Sequence, residues 1–267
     1  MPFEIQAHRG ARAFYPENTI PAFCKAADLG CLVIELDLVV SKDLRILVSH
    51  DPWISEEHDA ATSRKLFFSM DYQEIAAFDC GAPSPDFPQQ QRIAACRPLL
   101  SEVFRETEAH LHRTCRPGGM IYNLEVKSMP GLEGVAFPHP AQYAALVVAE
   151  IREACLADRV RLQSFDPRVV AEARRLMPDL CLGLLVEDPA VLDGFPSRLG
   201  FVPDYVNPHV SLVDKPLVEM LHRHGSKVVA WTVNDREEMI RMKLLGIDGL
   251  ITDHPETALA LPELSVS

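Results

Sequence analysis

The sequence predicts an α/β fold built on a parallel sheet, either a (β/α)8 barrel or a doubly wound sheet. Two observations favour this class. Short apolar runs typical of β-strands alternate with amphipathic helical stretches, and the alternation continues along most of a 267-residue chain. Strands that alternate with helices usually form parallel sheets, and this length is typical of one large domain. The apolar runs are residues 3–7, 33–40, 46–48, 121–126, 160–165, 181–186, 205–207, 228–233 and 249–252.

These runs number one more than the eight strands of a barrel. The link between the second and third runs, residues 41–45, is too short for a parallel crossover, which takes about a dozen residues. We therefore expect these two runs to form a hairpin, or one of them to lie partly outside the barrel.

The helices between the runs have recognisable ends. Residues that can cap or begin a helix are, in order, Asn18 or Thr19, Ser101, Pro140, Asp166 with Pro167, Asp214, and Asn234 or Asp235. Glycines that can end a helix are Gly30, Gly225 and Gly246. The pattern predicts helices that begin after one strand and end before the next.

One stretch breaks the alternation. Between about residues 53 and 95 the chain contains GAPSPDFPQQQ, with three prolines and three glutamines, and only a short helical piece over 72–78. Such a segment is typical of an insertion on one face of a domain. We expect residues 1–267 to form a single domain with a small insertion after the third strand, which could also form a partner-binding or oligomer surface.

The composition excludes several classes of partner. Charged residues make up 24% and hydrophobic residues 48%, so wholesale disorder is excluded. The net charge of −12 argues against nucleic acid and anionic membranes as main partners. No apolar run approaches the roughly 20 residues that span a bilayer, so stable membrane insertion is not expected. The absence of a leader pattern, and seven cysteines without a Cys-x-x-Cys pair, predict a cytoplasmic protein.

Two strands carry acidic side chains on one face. Glu35 and Asp37 are two residues apart in VIELDL, and Glu125 lies between Asn123 and Lys127 in NLEVK, so each set points to one side of its strand. A solvated edge strand or a surface Glu–Lys pair would explain either set alone. Three carboxylates together make an all-oxygen set suited to Mg²⁺ or Ca²⁺.

Two histidines follow other predicted strands. His8 and Arg9 come at the end of the first run, and His50 follows the third. In parallel α/β folds, functional groups gather at the carboxyl ends of the strands, where the acidic sets also end. Arg9, Lys127 and a metal could bind a phosphate while the histidines exchange protons. The sequence therefore predicts phosphate chemistry on a small molecule.

Further polar and aromatic residues could line a substrate pocket. Gln163 is expected to point inward, Asn207 ends a strand, and Trp231 shares a face with Val229 and Val233 if the strand is regular. Core packing is the alternative for Trp231.

Taken together, these motifs resemble the glycerophosphodiester phosphodiesterase family. The matching segments run from Ala7 to about Pro255, apart from the middle stretch, and are AHRGARAFYPENTIPAF, VIELDLVVSKDLRILVSHD, NLEVK, LQSFDP, VVAWTVN and GIDGLITDHP. The resemblance implies a (β/α)8 TIM barrel of the PLC-like phosphodiesterase type. It also implies hydrolysis of glycerophosphodiesters to an alcohol and sn-glycerol 3-phosphate with the help of a divalent metal.

The resemblance also implies roles for particular residues. His8 and His50 would be the general acid/base pair, and Arg9 and Lys127 would hold the phosphate. By the same resemblance, Glu35, Asp37 and Glu125 would bind the metal. Glu17 and Asn18 would support the site from behind.

The chain departs from the family pattern at two places. The segment from Pro52 to Glu57 replaces a common Arg-Thr-Thr run, and Leu44 stands where the family usually has glycine in a Lys-Asp-Gly turn. Neither change touches a proposed metal ligand, so substrate identity is affected more than activity.

Three alternatives differ in substrate or class. A lysophospholipase D-like hydrolase would need an apolar slot, which aromatic residues of the insertion could form: Trp53, Phe67, Phe68 and Phe87. A (β/α)8 glycosidase could use Glu35 and Glu125, but it would not need the other acidic residue or the two histidines. A non-catalytic relative usually lacks a ligand or a histidine, and none is missing here.

Overall fold

A computed structural model describes residues 3–55, 64–115 and 118–264. The largest sheet has nine strands, of which eight are parallel and close into a barrel. Closure occurs where the first strand pairs with both the second and the last. The strands are β1 (Glu4–Ala7), β2 (Val33–Val40), β3 (Ile46–Val48), β4 (Trp53–Ser55), β5 (Arg64–Leu66), β6 (Ile121–Val126), β7 (Val160–Ser164), β8 (Cys181–Val186), β9 (Tyr205–Pro208), β10 (Lys227–Ala230) and β11 (Gly249–Thr252). The predicted (β/α)8 barrel is confirmed.

The extra strand is explained by the predicted hairpin. β3 runs antiparallel to the end of β2, with Leu38 opposite Val48. The backbone N–H of Ser49 then donates to the carbonyl oxygen of Asp37 at 3.0 Å. The hairpin therefore returns the chain to the carboxyl end of the barrel just before His50.

The helices are α1 (Ile20–Leu29), α2 (Tyr72–Ala76), α3 (Leu100–Arg113), α4 (Pro140–Glu153), α5 (Pro167–Leu176), α6 (Phe195–Leu199), α7 (Lys215–His224), α8 (Arg236–Leu245) and α9 (Pro255–Leu259). Thr19, Asp166, Asp214 and Asp235 cap four of them with side-chain oxygens, as their positions predict. The short helices α6 and α9, of five residues each, were not predicted. Among the described residues, no helix is long and apolar enough to cross a membrane.

The hydrophobic core lies between the barrel and its helices, where Leu36 and Leu124 pack with helical residues such as Phe23. The barrel interior is largely polar instead. In it, for example, the Asn123 amide donates to the Gln6 side-chain oxygen at 2.7 Å. Buried polar groups need hydrogen-bond partners, and the polar side chains inside the barrel can provide such partners for charged groups at its carboxyl end.

One predicted strand is shorter than expected. Residues 228–233 were predicted as one strand, but β10 ends at Ala230. Trp231 packs near Val229 inside the barrel, whereas Val233 joins the core outside it. The prediction that Trp231 and Val233 share a face is wrong, because the regular alternation stops at the strand end.

Residues 56–63 of the predicted insertion, with most of its acidic SEEHD segment, lie outside the described residues. The described parts, 53–55 and 64–95, lie against the carboxyl end of the barrel. They contain the antiparallel pair β4–β5 and helix α2, followed by an irregular segment. The Gln90 side-chain amide donates to the carbonyl oxygen of Arg12 at 2.7 Å, and the backbone N–H of Gln91 donates to that of Phe14 at 2.9 Å. This stretch therefore supports the loop that follows β1.

Candidate active site

Three carboxylates meet at the carboxyl ends of β2 and β6. The parallel register places Asp37 beside Glu125 and Glu35 beside Asn123. One oxygen from each of Glu35, Asp37 and Glu125 lies within 4.8 Å of the others, and all three residues are buried. The strand periodicity predicted their shared faces, and the pairing of the two strands brings the faces together.

Two cations neutralise much of this acidic cluster. The Lys127 ammonium lies 2.8 Å from Asp37 Oδ1 and 2.6 Å from Glu125 Oε1. The Arg9 guanidinium lies 3.1 Å from Asp37 Oδ2, and the backbone N–H of Arg9 donates to Glu35 at 3.2 Å. Burial without these cations would be very costly for three carboxylates.

The carboxylates differ in their affinity for protons. Burial and the charges of Asp37 and Glu125 raise the pKa of Glu35 well above its usual value. Burial also raises the pKa of Glu125, although Lys127 opposes this effect. Burial would raise the pKa of Asp37 as well, but Lys127 and Arg9 hold it well below its usual range. A site with this excess of acidic groups favours a positive charge.

These residues fit a divalent cation. The set is all oxygen, the three ligand atoms lie close together, and the raised pKa of Glu35 marks a place where additional positive charge would be stabilising. Hard cations such as Mg²⁺ and Ca²⁺ prefer carboxylate oxygens. The carboxylates could therefore hold such an ion.

His8 is oriented by an acidic residue that the sequence analysis did not select. Its Nδ1 lies 2.7 Å from Asp253 Oδ1, and its Nε2 faces Glu35 at 4.0 Å. Asn234 donates to the other oxygen of Asp253 at 2.7 Å, and Arg12 approaches Asp253 at 3.3 Å. Asp253 directly follows β11, so its place at a strand's carboxyl end was the available signal.

The pKa shifts of His8 and Asp253 favour a neutral imidazole beside an ionised carboxylate. Burial lowers the pKa of His8, and the hydrogen bond to Asp253 opposes this effect. Burial would raise the pKa of Asp253, but its contacts with His8 and Arg12 hold it well below its usual range. A carboxylate accepts, so the Nδ1 of His8 carries the proton and Nε2 presents a lone pair to the site.

His50 is the more exposed of the two histidines. Its side chain is 39% exposed, and its Nδ1 lies 3.1 Å from Asp51 Oδ1. His8, at 13% exposure, is much more enclosed. The two histidines therefore have different access to solvent while they line the same cavity.

Glu17 and Asn18 support this centre through hydrogen bonds. The Arg9 guanidinium donates to both oxygens of Glu17 at 3.0 Å. The Asn18 amide donates to Asp37 Oδ2 at 2.8 Å, and its own oxygen accepts from the Asp37 backbone at 3.3 Å. Both residues thus lie behind the groups that face the cavity.

The cavity at the centre of these residues has a volume of about 270 Å³. Gln163 and Trp231 line it, as the sequence analysis proposed, and Trp231 meets Phe165 edge-on at 5.4 Å. Asn207 lies behind Gln163, to which it donates at 2.6 Å, and is not part of the lining formed by the described residues. The lining residues with charged or polar side chains are His8, Arg9, Glu35, His50, Glu125, Lys127, Gln163, Glu187 and Thr232.

The arrangement places two cations, a cluster of carboxylates and two histidines around one small cavity. Comparison with known proteins identifies its family. Residues 8–257 match the model of the glycerophosphoryl diester phosphodiesterase family. The chain belongs to this family. It is therefore a phosphodiesterase, which excludes the glycosidase and the non-catalytic alternatives.

Known relatives agree over nearly the whole length. A glycerophosphodiester phosphodiesterase of Caldanaerobacter subterraneus is 31% identical, with 96% of each chain covered. A Silicibacter pomeroyi structure provisionally named glycerophosphoryl diester phosphodiesterase is 27% identical with a TM-score of 0.84, covering 98% of this chain and 93% of its own. An Oleispira antarctica phosphodiesterase, solved with the product sn-glycerol-3-phosphate, has the same fold at 23% identity and a TM-score of 0.77. It covers 95% of this chain and 94% of its own.

Proposed function

We propose that this enzyme hydrolyses glycerophosphodiesters to an alcohol and sn-glycerol 3-phosphate in a reaction that requires Mg²⁺ or Ca²⁺. The observation that carries the proposal is one cavity of about 270 Å³ lined by two cations, two histidines and the buried carboxylates Glu35 and Glu125, with an oxygen of a third buried carboxylate, Asp37, within 4.8 Å of theirs. The product bound to the Oleispira antarctica phosphodiesterase supports the choice of a glycerol phosphate.

The phosphate is held by charge. Arg9 and Lys127 both line the cavity, and both are anchored by carboxylates that fix their position. A divalent cation on the three carboxylates supplies further positive charge for the phosphate oxygens when bound. Because these groups are fixed before substrate arrives, they can stabilise the charge that develops in the transition state.

The histidines move the protons. The Nε2 lone pair of His8 accepts the proton of the attacking hydroxyl, which is either water or the glycerol 2-hydroxyl, and the hydroxyl oxygen bonds to phosphorus. The bond between phosphorus and the alcohol oxygen then breaks, and that oxygen receives a proton from His50. Where the 2-hydroxyl is the attacker, the product of this step is a cyclic phosphate. Water then attacks its phosphorus, His50 takes the proton of that water, and the bond from phosphorus to the 2-oxygen breaks as His8 returns its proton to that oxygen, which gives glycerol 3-phosphate. The contact with Asp253 supports the assignment of His8 as the base.

The proposal is tested by measuring release of glycerol 3-phosphate from glycerophosphocholine and glycerophosphoethanolamine. We expect release to stop after EDTA treatment and to return with Mg²⁺ or Ca²⁺, because the acidic cluster needs the cation to bind phosphate. The ion that restores release is the cofactor. Release that is unchanged by EDTA would contradict the role of the carboxylates.

The histidine roles are tested by substitution. His50→Ala should lower kcat by about 10²- to 10⁴-fold, which is the usual contribution of a general acid or base, without loss of the fold. His112→Ala, on the exposed face of α3, is the matched control and should retain full activity. Full activity in His50→Ala would remove His50 from the mechanism.

A further inference from the structure

A second cavity of about 510 Å³ adjoins the first. The two share a boundary at which His50, Glu125, Lys127, Phe165 and Glu187 line both. A substrate bound to the first cavity can therefore extend into the second without leaving the protein surface. The second cavity is large enough for a sizeable organic group, since ligand pockets usually measure about 300–1,000 Å³.

Most of this second cavity is apolar, and we call it the apolar groove. One wall is formed by Trp53 and Leu66 on the β4–β5 hairpin, and the other by the loop that follows β6. In that loop Met129 is 56% and Val135 is 55% exposed, while Phe137 is buried beneath them. Large apolar side chains that are exposed together at the edge of a groove indicate a surface that binds an apolar partner.

The aromatic slot expected from the sequence is partly wrong. Trp53 does line the groove, but Phe67 is fully buried in the core and Phe68 packs against that core. Phe87 lies elsewhere, with the Arg12 guanidinium over its ring at 4.8 Å. The loop after β6 supplies most of the apolar surface instead.

We propose that the apolar groove binds an aliphatic chain carried by the leaving alcohol of the phosphodiester. This inference rests on the proposed function. His50 lies where the two cavities meet, whereas His8 lines only the first. The ester oxygen that receives its proton from His50 therefore points to the groove, and the alcohol attached to that oxygen lies in it.

The glycerol part of the substrate suits the first cavity. It is about half the size of the groove, and Gln163 and Thr232 offer hydrogen-bonding groups to hydroxyls there. The charged side chains of the groove are four at the junction with the first cavity and Asp51, the chain neighbour of His50, so the wall formed by the loop after β6 offers little to a polar alcohol. Binding of an alkyl chain is favoured in such a place, because burial removes its apolar surface from water.

The test compares two diesters that differ only in the alcohol, glycerophosphohexanol and glycerophosphoethanol. With the activating metal present, kcat/KM for release of glycerol 3-phosphate should be at least about tenfold higher for the hexyl diester, since each buried methylene strengthens binding severalfold. Hexanoyl lysophosphatidylcholine carries its chain on the glycerol instead. Its hydrolysis yields choline and hexanoyl glycerol 3-phosphate, so it is compared with glycerophosphocholine by the release of choline, and it should show no gain.

Variants of the groove separate its effect from damage to the enzyme. In the double variant Met129→Ser/Val135→Ser, the hexyl-to-ethyl ratio of kcat/KM should fall towards one. Because both residues are more than half exposed, the fold should tolerate the change, and a ratio is independent of the amount of active protein. Leu244→Ser, at a 79% exposed apolar residue on α8, is the control and should keep the wild-type ratio.

Each outcome decides the question. A ratio near one in the wild type, with both diesters hydrolysed, overturns the inference and leaves the proposed function intact. A gain for hexanoyl lysophosphatidylcholine without a gain for the hexyl diester also overturns it, because the chain then belongs to the glycerol side. If no diester is hydrolysed with either metal, the proposed function fails and the inference fails with it.

Discussion

The hydrogen bond between His8 and Asp253 determines which nitrogen of the histidine faces the substrate. With a carboxylate at 2.7 Å, Nδ1 must carry the proton. An amide in the same place could donate instead, and would then favour the opposite tautomer. The identity of residue 253 is therefore important even though its side chain does not line the cavity.

Because Asp253 sets the tautomer of His8, Asp253→Asn should impair catalysis. We expect kcat to fall about ten- to a hundredfold, because a smaller fraction of His8 presents a lone pair at Nε2. KM should change little, since Arg9 and Lys127 still bind the phosphate. Steady-state kinetics on glycerophosphocholine measure both constants.

A suitable control is Asp248→Asn, which removes a carboxylate that pairs with His222 at 2.9 Å just before β11. That variant should keep the wild-type kcat. A wild-type kcat in Asp253→Asn would instead show that the contact with Asp253 does not orient His8 for proton transfer.

At this scale the sequence and the family resemblance supplied most of the polar groups at the cavity and the supports Glu17 and Asn18, but not Asp253. Glu35, Asp37 and Glu125 could be selected because alternation along a strand shows which side chains share a face. Asp253 could not be linked to His8 in this way. Their contact depends on the pairing of β1 with β11, which joins residues 245 positions apart.

At the scale of elements, the β2–β3 hairpin is the part that carries His50 to the site. Its turn places Leu44 at φ +60°, in the left-handed region that strains side chains other than glycine. Leu44 is also 40% exposed, so it contributes little buried surface in return. Glycine would adopt this conformation without strain.

We therefore expect Leu44→Gly to stabilise the protein by about 0.5–1 kcal/mol, the strain relieved less the added flexibility of glycine in the unfolded chain. Urea unfolding followed by circular dichroism measures this difference. Leu44→Ala keeps the left-handed strain and should give no such gain. Equal stability of the glycine and alanine variants would show that the turn is not strained.

The elements that were missed are short. The β4–β5 hairpin has three residues in each strand, too few for a period to be recognised, and its strands pair over residues whose sequence shows no alternation. The hairpin nevertheless forms one wall of the apolar groove. The sequence therefore predicts the reaction of this enzyme better than it predicts the substrate.

At the scale of the whole molecule, the alternation of strands and helices left a barrel and a doubly wound sheet open, and the resemblance to the phosphodiesterase family pointed to the barrel. The eighth connection closes the sheet, and this closure places the ends of β1, β2, β6 and β11 around one axis. Sequence alone gives the direction of each strand but not the distances between their ends. The cavity volumes and the pairing of cations with carboxylates required the structure.

The fold also contains a buried acid far from the proposed chemistry. Glu150 on α4 is partly buried, and its Oε2 has no hydrogen-bond partner among the described residues. Burial raises its pKa to about 7, although Arg45 opposes this effect. The folded protein thus binds this proton more tightly than the unfolded chain, whose carboxyl has a pKa near 4.5.

It follows that Glu150 makes the folded state less stable as pH rises from about 4.5 to 7, and that the loss is complete above this range. Glu150→Gln removes the titrating group while keeping its shape. The variant should therefore gain stability relative to the wild type across this window, reaching about 1 kcal/mol at pH 8 once partial exposure is allowed for. Thermal unfolding at pH 5 and pH 8 measures the change, and Glu263→Gln, at an exposed position outside α4, controls for the loss of one charge. A stability difference between Glu150→Gln and the wild type that is the same at both pH values would show that Glu150 ionises equally easily in the folded and unfolded chains.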